Sequence, residues 1–279
     1  MACDPSLLKP IGPGTRAVVV GAGRSGRAAT RLLRAVGASV RLLEKTPERI
    51  TADFAAWADK AGVAVLGGDH HPAQFEGADL VVPSPGAALS SQRPLLSAAS
   101  AGGEGGPEVL AETELAWRHL DGEPVIGITG TSGKTTTTTL CAAMLEAQGL
   151  TVFTGGNIGT PLSEYVLERR AGTRPEADVL VLELSSFQLQ TCQSLRPRVG
   201  VLLNIAENHL DYHRDMAEYI EAKMRLFRCQ TPADLAVVAP SLTGLPERFH
   251  IRSRLVYYDA DAGPCWIVPP RTQRRASRH

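Results

Sequence analysis

With 279 residues, a formal net charge of +0 and 43% hydrophobic residues, the chain is long enough for about two packed domains and too apolar to be mainly disordered. The neutral balance argues against nucleic acid as a main partner and leaves small anions as the expected ligands. Cys3, Cys141, Cys192, Cys229 and Cys265 are scattered with no C-x-x-C pair, and no apolar run reaches the ~20 residues that span a bilayer. The expectations are reduced thiols, a cytoplasmic location and no membrane partner; Met1 to Pro13 lacks a signal-peptide hydrophobic region.

Arg16 to Val20 reads as an apolar strand running into Gly21-Ala22-Gly23-Arg24-Ser25-Gly26, with a helix from Arg27 to Val36. That is G-x-G-x-x-G between strand and helix. A second strand, Ser39 to Leu43, ends at Glu44, where a Rossmann fold sets an acidic residue against a ribose. Taken alone this predicts NAD, although the same glycines can serve only close packing of helix on strand. Leu80 to Val82 gives another strand, ending in the turn Ser84-Pro85-Gly86 at a sheet edge where α/β ligands collect. Ser97 to Gly106 is rich in Ala, Gly and Ser and reads as a linker. Val109 to Leu120, with Glu112, Glu114 and Trp117, reads as a helix, placing a domain boundary near Asp121.

Val125 to Ile128 is an apolar strand that breaks into Gly130-Thr131-Ser132-Gly133-Lys134-Thr135-Thr136, followed by a helix from Thr136 to Ala147. Glycines that turn backbone N–H groups inward, at the positive end of a helix, form a phosphate-binding loop. Lys134 would reach the β- and γ-phosphates of ATP, and the Thr135 hydroxyl would be a Mg²⁺ ligand. The general pattern G-x-x-x-x-G-K-[ST] is not fully met, because its first glycine falls on Ile128.

Gly155-Gly156-Asn157-Ile158-Gly159 is a glycine turn whose amide, Asn157, suits a substrate carbonyl or phosphate oxygen. Val179 to Leu184 reads as a buried strand bearing Glu183. A carboxylate in so apolar a run is costly unless paired or metal-bound, which favours Glu183 as a Mg²⁺ ligand. Val199 to Asn204 is the next strand, leading to His209-Leu210-Asp211-Tyr212-His213. From general chemistry, His209 is as readily structural as metal-binding. Met216 to Arg228 reads as an amphipathic helix with Tyr219 and Lys223 on one face.

Gly-Thr-x-Gly-Lys-Thr-Thr, Glu-Leu-Ser-Ser-Phe-Gln-Leu from Glu183 and H-x-D-x-H from His209 together resemble the Mur ligase family, and the second of these is most similar to its D-glutamate-adding branch. The resemblance covers Arg16 to Ala239. It implies an α/β protein with a Rossmann-like first domain, 1–121, that binds the UDP-substrate rather than NAD, then a central ATP-binding domain, 122–260, and an irregular tail, 261–279. It implies that Gly23, Arg24, Ser25 and Gly26 contact diphosphate, that Glu44, Lys45 and Thr46 meet the uracil end, that Ser84, Pro85 and Gly86 line the sugar side, and that Ser185 and Ser186 also touch substrate. Gly130 to Thr136 would hold ATP, with Lys134, Lys223, His209 and Asn157 as the catalytic set. Thr135, Glu183, His209 and a carbamylated Lys223 would hold two Mg²⁺ ions. Where some relatives have aspartate before the histidine, this chain has Asn208.

The implied reaction joins D-glutamate to UDP-N-acetylmuramoyl-L-alanine in peptidoglycan precursor synthesis, through an acyl phosphate, by a cytoplasmic monomer. Family members also carry a third domain that binds the incoming amino acid. Here Pro240 to His279 is short, and Arg271 to His279 has no periodic element and reads as disordered or out of frame. This leaves open a noncatalytic nucleotide-sugar and ATP-binding fragment, or another Mur ligase, and predicts no measurable product from the chain alone.

Overall fold

The structure, a computed structural model, describes residues 8–85, 106–209 and 212–258. Gly86, Asp211 and the expected tail, 261–279, lie outside the described residues. Two all-parallel sheets organise the chain. The first contains β1 (Arg16–Val20), β2 (Ser39–Glu44), β3 (Ala64–Gly67), β4 (Leu80–Pro83) and β5 (Glu108–Val109) in the order β3-β2-β1-β4-β5. The second contains β6 (Val125–Thr129), β7 (Val152–Gly156), β8 (Val179–Glu183), β9 (Val199–Leu202), β10 (Leu235–Val238) and β11 (Arg254–Tyr257) in the order β11-β10-β9-β6-β8-β7. The central strands are apolar where both faces are buried, β1 from Ala17 to Val20 and β8 from Val179 to Leu182.

Helices α1 (Arg24–Ala35), α2 (Ala52–Lys60), α3 (Glu112–Trp117), α4 (Lys134–Ala147), α5 (Leu162–Arg170), α6 (Ser186–Leu189), α7 (Met216–Met224) and α8 (Gly244–Arg248) supply the covering layers. α1, α3 and α5 pack pairwise against one another, so one apolar core, including Leu32, Leu33, Leu115 and Tyr165, runs between the sheets.

Both glycine-turn helices start earlier than periodicity predicts, at Arg24 and Lys134 rather than Arg27 and Thr136. Their first turns belong to the loops, whose N–H groups have no intrahelical partner and leave no apolar signature. The helix expected over Val109 to Leu120 shrinks to α3 because Glu108 and Val109 pair with Leu80 and Val81 as β5. The helix expected over Met216 to Arg228, α7, ends at Met224 and continues as a 3₁₀ turn over Arg225–Phe227. Cys141 and Cys192 are free thiols.

In each sheet the chain reverses its direction of travel at one strand, and loops leaving the carboxyl ends there open a crevice. In the first sheet this point lies between β1 and β4. In the second it lies around β6, flanked by β8 and β9.

Candidate functional site

The loops after β6, β8 and β9 converge at the carboxyl edge of the second sheet. Gly133 caps α4 in the left-handed region, φ 79°, a conformation open to glycine without strain. A side chain at Gly130 would come within 3.0 Å of Leu203 Cβ, which accounts for the other glycine. Lys134 folds over the loop, its Nζ donating to the carbonyls of Gly130 (3.0 Å) and Thr131 (2.9 Å). The Thr131 and Ser132 N–H groups each donate to Asn204 Oδ1 at 3.0 Å. Thr136 is exposed on the first turn of α4.

Glu183, at the end of β8, is 2% exposed. Its Oε2 accepts from the Thr135 hydroxyl at 2.7 Å and its Oε1 from Asn157 Nδ2 at 2.7 Å. Three residues singled out separately in the sequence therefore meet at one carboxylate. Both partners are neutral donors, and a buried carboxylate beside a hydroxyl is a hard-oxygen arrangement that fits Mg²⁺. Among the described residues no group of three or more His, Cys, Asp or Glu could hold a metal ion, so any such site would draw on other groups.

Lys223 also reaches the phosphate loop. Carried on α7 and 1% exposed, it donates from Nζ to the Gly130 carbonyl at 2.8 Å and lies 4.6 Å from the centre of the Tyr219 ring. Burial first, and repulsion from Lys134 second, lower its pKa to about 7. His209 sits across the same tyrosine, ring centres 6.3 Å apart, and meets Phe187 edge-on at 4.9 Å. Its backbone is left-handed, φ 56°, uncommon for a non-glycine residue. Ser185 caps α6 by accepting from the Gln188 N–H, and the Ser186 hydroxyl lies 2.9 Å from His213 Nε2. In this structure, then, both serines make contacts within the protein.

In the first sheet Glu44 is buried and faces the glycine turn. Its carboxylate accepts from the Ala22 N–H at 2.6 Å and from the Thr46 N–H at 2.9 Å. Gly23 and Arg24 are exposed and Ser25 half-buried, but Gly26 is buried, and a Cβ there would fall 1.9 Å from the Gly21 carbonyl oxygen. Gly26 thus serves helix-on-strand packing, beneath the surface its neighbours present. The Ser84 hydroxyl donates to the same carbonyl at 3.2 Å. Lys45 is largely exposed, its Nζ 3.9 Å from Asp69.

α3 joins the two units through three consecutive buried side chains. Glu112 accepts from the Ser163 N–H at 2.6 Å, Thr113 Oγ1 accepts from Gln188 Nε2 at 3.1 Å, and Glu114 accepts from the N–H groups of Ser194 and Leu195. A small pocket lies beside this junction, lined by Ser84 and Pro85 from the first unit, Glu112, and Phe187, Gln188 and Tyr212 from the second. Ser84 and Pro85 were placed at a ligand edge by the sequence; Glu112 and Asn204 were not assigned roles, because their partners are distant in the chain.

A parallel sheet bearing a glycine-lysine loop, joined through α3 to a Rossmann-like unit, defines a two-unit α/β protein. The chain matches the Mur ligase middle domain over residues 128–253. It is 59% identical over 265 residues to the UDP-N-acetylmuramoylalanine--D-glutamate ligase of Nitratidesulfovibrio vulgaris strain Miyazaki F, a match covering 94% of this chain and 59% of that one. It is 48% identical over 256 residues to the ligase of the same name from Lawsonia intracellularis, covering 92% and 56%. The chain therefore spans under two thirds of the length of these curated relatives. The UDP-N-acetylmuramate:L-alanyl-gamma-D-glutamyl-meso-diaminopimelate ligase from Neisseria meningitides shares the fold, with a TM-score of 0.50 at 18% identity over 86% of this chain and 77% of that one. Among the described residues no helix is long and apolar enough to cross a membrane.

Proposed function

We propose that this chain carries the UDP-substrate and ATP sites of a ligase that adds D-glutamate to UDP-N-acetylmuramoyl-L-alanine in peptidoglycan precursor synthesis. The observation that carries the reading is the meeting of Thr135, Asn157 and Glu183 beside Lys134, in a chain 59% identical to a D-glutamate-adding ligase.

In this reading residues 1–121 hold the UDP-substrate at the β1/β4 crevice, with Gly23, Arg24 and Ser25 at the diphosphate, and Lys45 and Thr46 further out. Residues 122–260 hold ATP on Gly130 to Thr136. The terminal carboxylate of the UDP-substrate attacks the γ-phosphorus and ADP leaves; the amine of D-glutamate then attacks the acyl carbon, loses its proton and expels phosphate. Lys134 exchanges its two carbonyl partners for phosphate oxygens and offsets their charge. Thr135 and Glu183 would hold one Mg²⁺, and His209 with Lys223 a second; such ions neutralise charge on the transferring phosphoryl group. Lys223, with its pKa near 7, is neutral in a large fraction of molecules at physiological pH. It can then add CO₂ through nitrogen, release a proton and become a carbamate, an oxygen donor where an ammonium stood. The protein acts as a cytoplasmic monomer.

ADP release in the presence of UDP-N-acetylmuramoyl-L-alanine, by the chain joined to a third, amino-acid-binding domain, tests the assignment. It should rise with D-glutamate and not with L-glutamate or a diamino acid. Selective stimulation by one of the latter would overturn the amino-acid assignment.

A further inference from the structure

Asn204 stands just beyond β9, and its side chain spans the phosphate loop. Oδ1 accepts from the N–H groups of Thr131 and Ser132, both at 3.0 Å, while Nδ2 donates to the Ser132 carbonyl at 3.2 Å. Its own carbonyl also accepts from the Thr131 N–H at 3.1 Å. Two residues further on, the Ala206 N–H donates to Thr131 Oγ1 at 2.9 Å, and that oxygen lies 3.0 Å from the Tyr219 hydroxyl. The turn Gly130 to Ser132 is therefore fastened to the segment that leads into His209, with one carboxamide making both donor and acceptor contacts. Lys134 holds the carbonyls of Gly130 and Thr131 from within the loop, and Asn204 holds its N–H groups from outside it.

We propose that Asn204 is a positioning residue for the nucleotide. Its carboxamide fixes the peptide planes at Thr131 and Ser132, so that the following N–H groups and Lys134 are preorganised for phosphate, and it couples the loop to the His209 segment. This rests on the reading of Gly130 to Thr136 as an ATP site. A rival arrangement uses the same atoms: Asn204 Oδ1 occupies N–H groups needed by phosphate, and nucleotide must displace it. The Nδ2 contact to the Ser132 carbonyl favours the clamp, since an oxygen mimicking phosphate gains nothing from a donor beside it.

The two differ in sign. In the clamp, Asn204→Ala removes about two neutral hydrogen bonds' worth of preorganisation and weakens binding of Mg²⁺ with a nonhydrolysable ATP analogue roughly tenfold. In the plug, the same substitution leaves affinity unchanged or tightens it, which would overturn the proposal. Amide hydrogen exchange at Thr131 and Ser132 in the nucleotide-free protein should accelerate at least about tenfold in Asn204→Ala and stay slow in Asn204→Asp, which keeps the acceptor oxygen. Equal exchange in wild type and Asn204→Ala also overturns the clamp. Should Asn204→Ala fail to fold, Asn204→Ser decides: its side chain is too short to span the Thr131 and Ser132 N–H groups, so the clamp again requires weaker binding of the analogue than wild type and the plug equal or tighter binding. Failure of the ATP reading is separate, since wild-type protein would then bind no adenine nucleotide while the exchange result still reports the clamp.

Discussion

Lys223 Nζ and Lys134 Nζ donate to the same acceptor, the Gly130 carbonyl, at 2.8 and 3.0 Å. Lys223 arrives from 93 residues away in sequence, so α7 and the phosphate loop are held together at the one point where two amines converge. A single carbonyl cannot offset two ammonium charges in a buried place, and the more buried of the pair, Lys223, has its pKa lowered. The relationship ties the chemistry of one lysine to the ligand of the other.

Carbamate formation at Lys223 follows from its neutral fraction. In ¹³C-labelled bicarbonate at pH 8 the protein should show one carbamate carbon resonance, fading as pH falls through about 7 and missing from Lys223→Met. A resonance of unchanged intensity in Lys223→Met would remove Lys223 from the proposal.

Lys134 and Glu183 should separate by their metal dependence. Lys134→Ala loses charge-assisted bonds to phosphate and should weaken ATP-analogue binding about a hundredfold whether or not Mg²⁺ is present. Glu183→Gln keeps the shape of the cluster around Thr135 and Asn157 but should abolish the gain in affinity that Mg²⁺ gives. Calorimetric titration with and without the ion checks both, and a Glu183→Gln protein with full Mg²⁺ enhancement would contradict the metal assignment.

Glu112 ties stability to pH. It is 2% exposed, and burial raises its pKa from 4.5 to about 7, with Glu164 adding repulsion and the Ser163 hydrogen bonds opposing. A carboxyl whose folded pKa lies above its unfolded value favours the folded state at low pH. That contribution is complete below about 4.5 and is lost as pH rises through about 7, a change of order 3 kcal/mol. Glu112→Gln should therefore flatten the decline in urea midpoint between pH 5 and pH 8. An undiminished decline in the variant would place its origin elsewhere.

The glycine turn of the first unit separates packing from binding. Gly26→Val must move the Gly21 backbone and should lower stability by several kcal/mol. Arg24→Ala, at an exposed position, should leave the melting temperature within a degree or two and weaken binding of the UDP-substrate about tenfold. Equal loss of stability in both variants, by thermal melts followed by circular dichroism, would show that the turn acts as one packed unit.

What the sequence disclosed and what it hid divide along a physical line. β1 and β6 were legible because buried parallel strands are continuous apolar runs, and their loops because glycine before a helix marks a required backbone conformation. Glu183 was legible as a charge in an apolar strand. Glu112 and Asn204 were not. Each is an ordinary polar residue whose role is set by a partner 51 or more residues away, and no local period records such a contact. At Gly26 packing and ligand contact are compatible readings of one motif, and the structure adds the packing reason: a Cβ there would meet the Gly21 carbonyl oxygen.

The central claim is that one chain joins a UDP-substrate site in the first unit to an ATP site in the second. The most direct measurement is calorimetric titration of the protein with UDP-N-acetylmuramoyl-L-alanine, with Mg²⁺ and a nonhydrolysable ATP analogue, and with NAD. The account predicts that the first two bind together, neither displacing the other, and that NAD produces no heat of binding. Binding of NAD with no response to the UDP-substrate would contradict it.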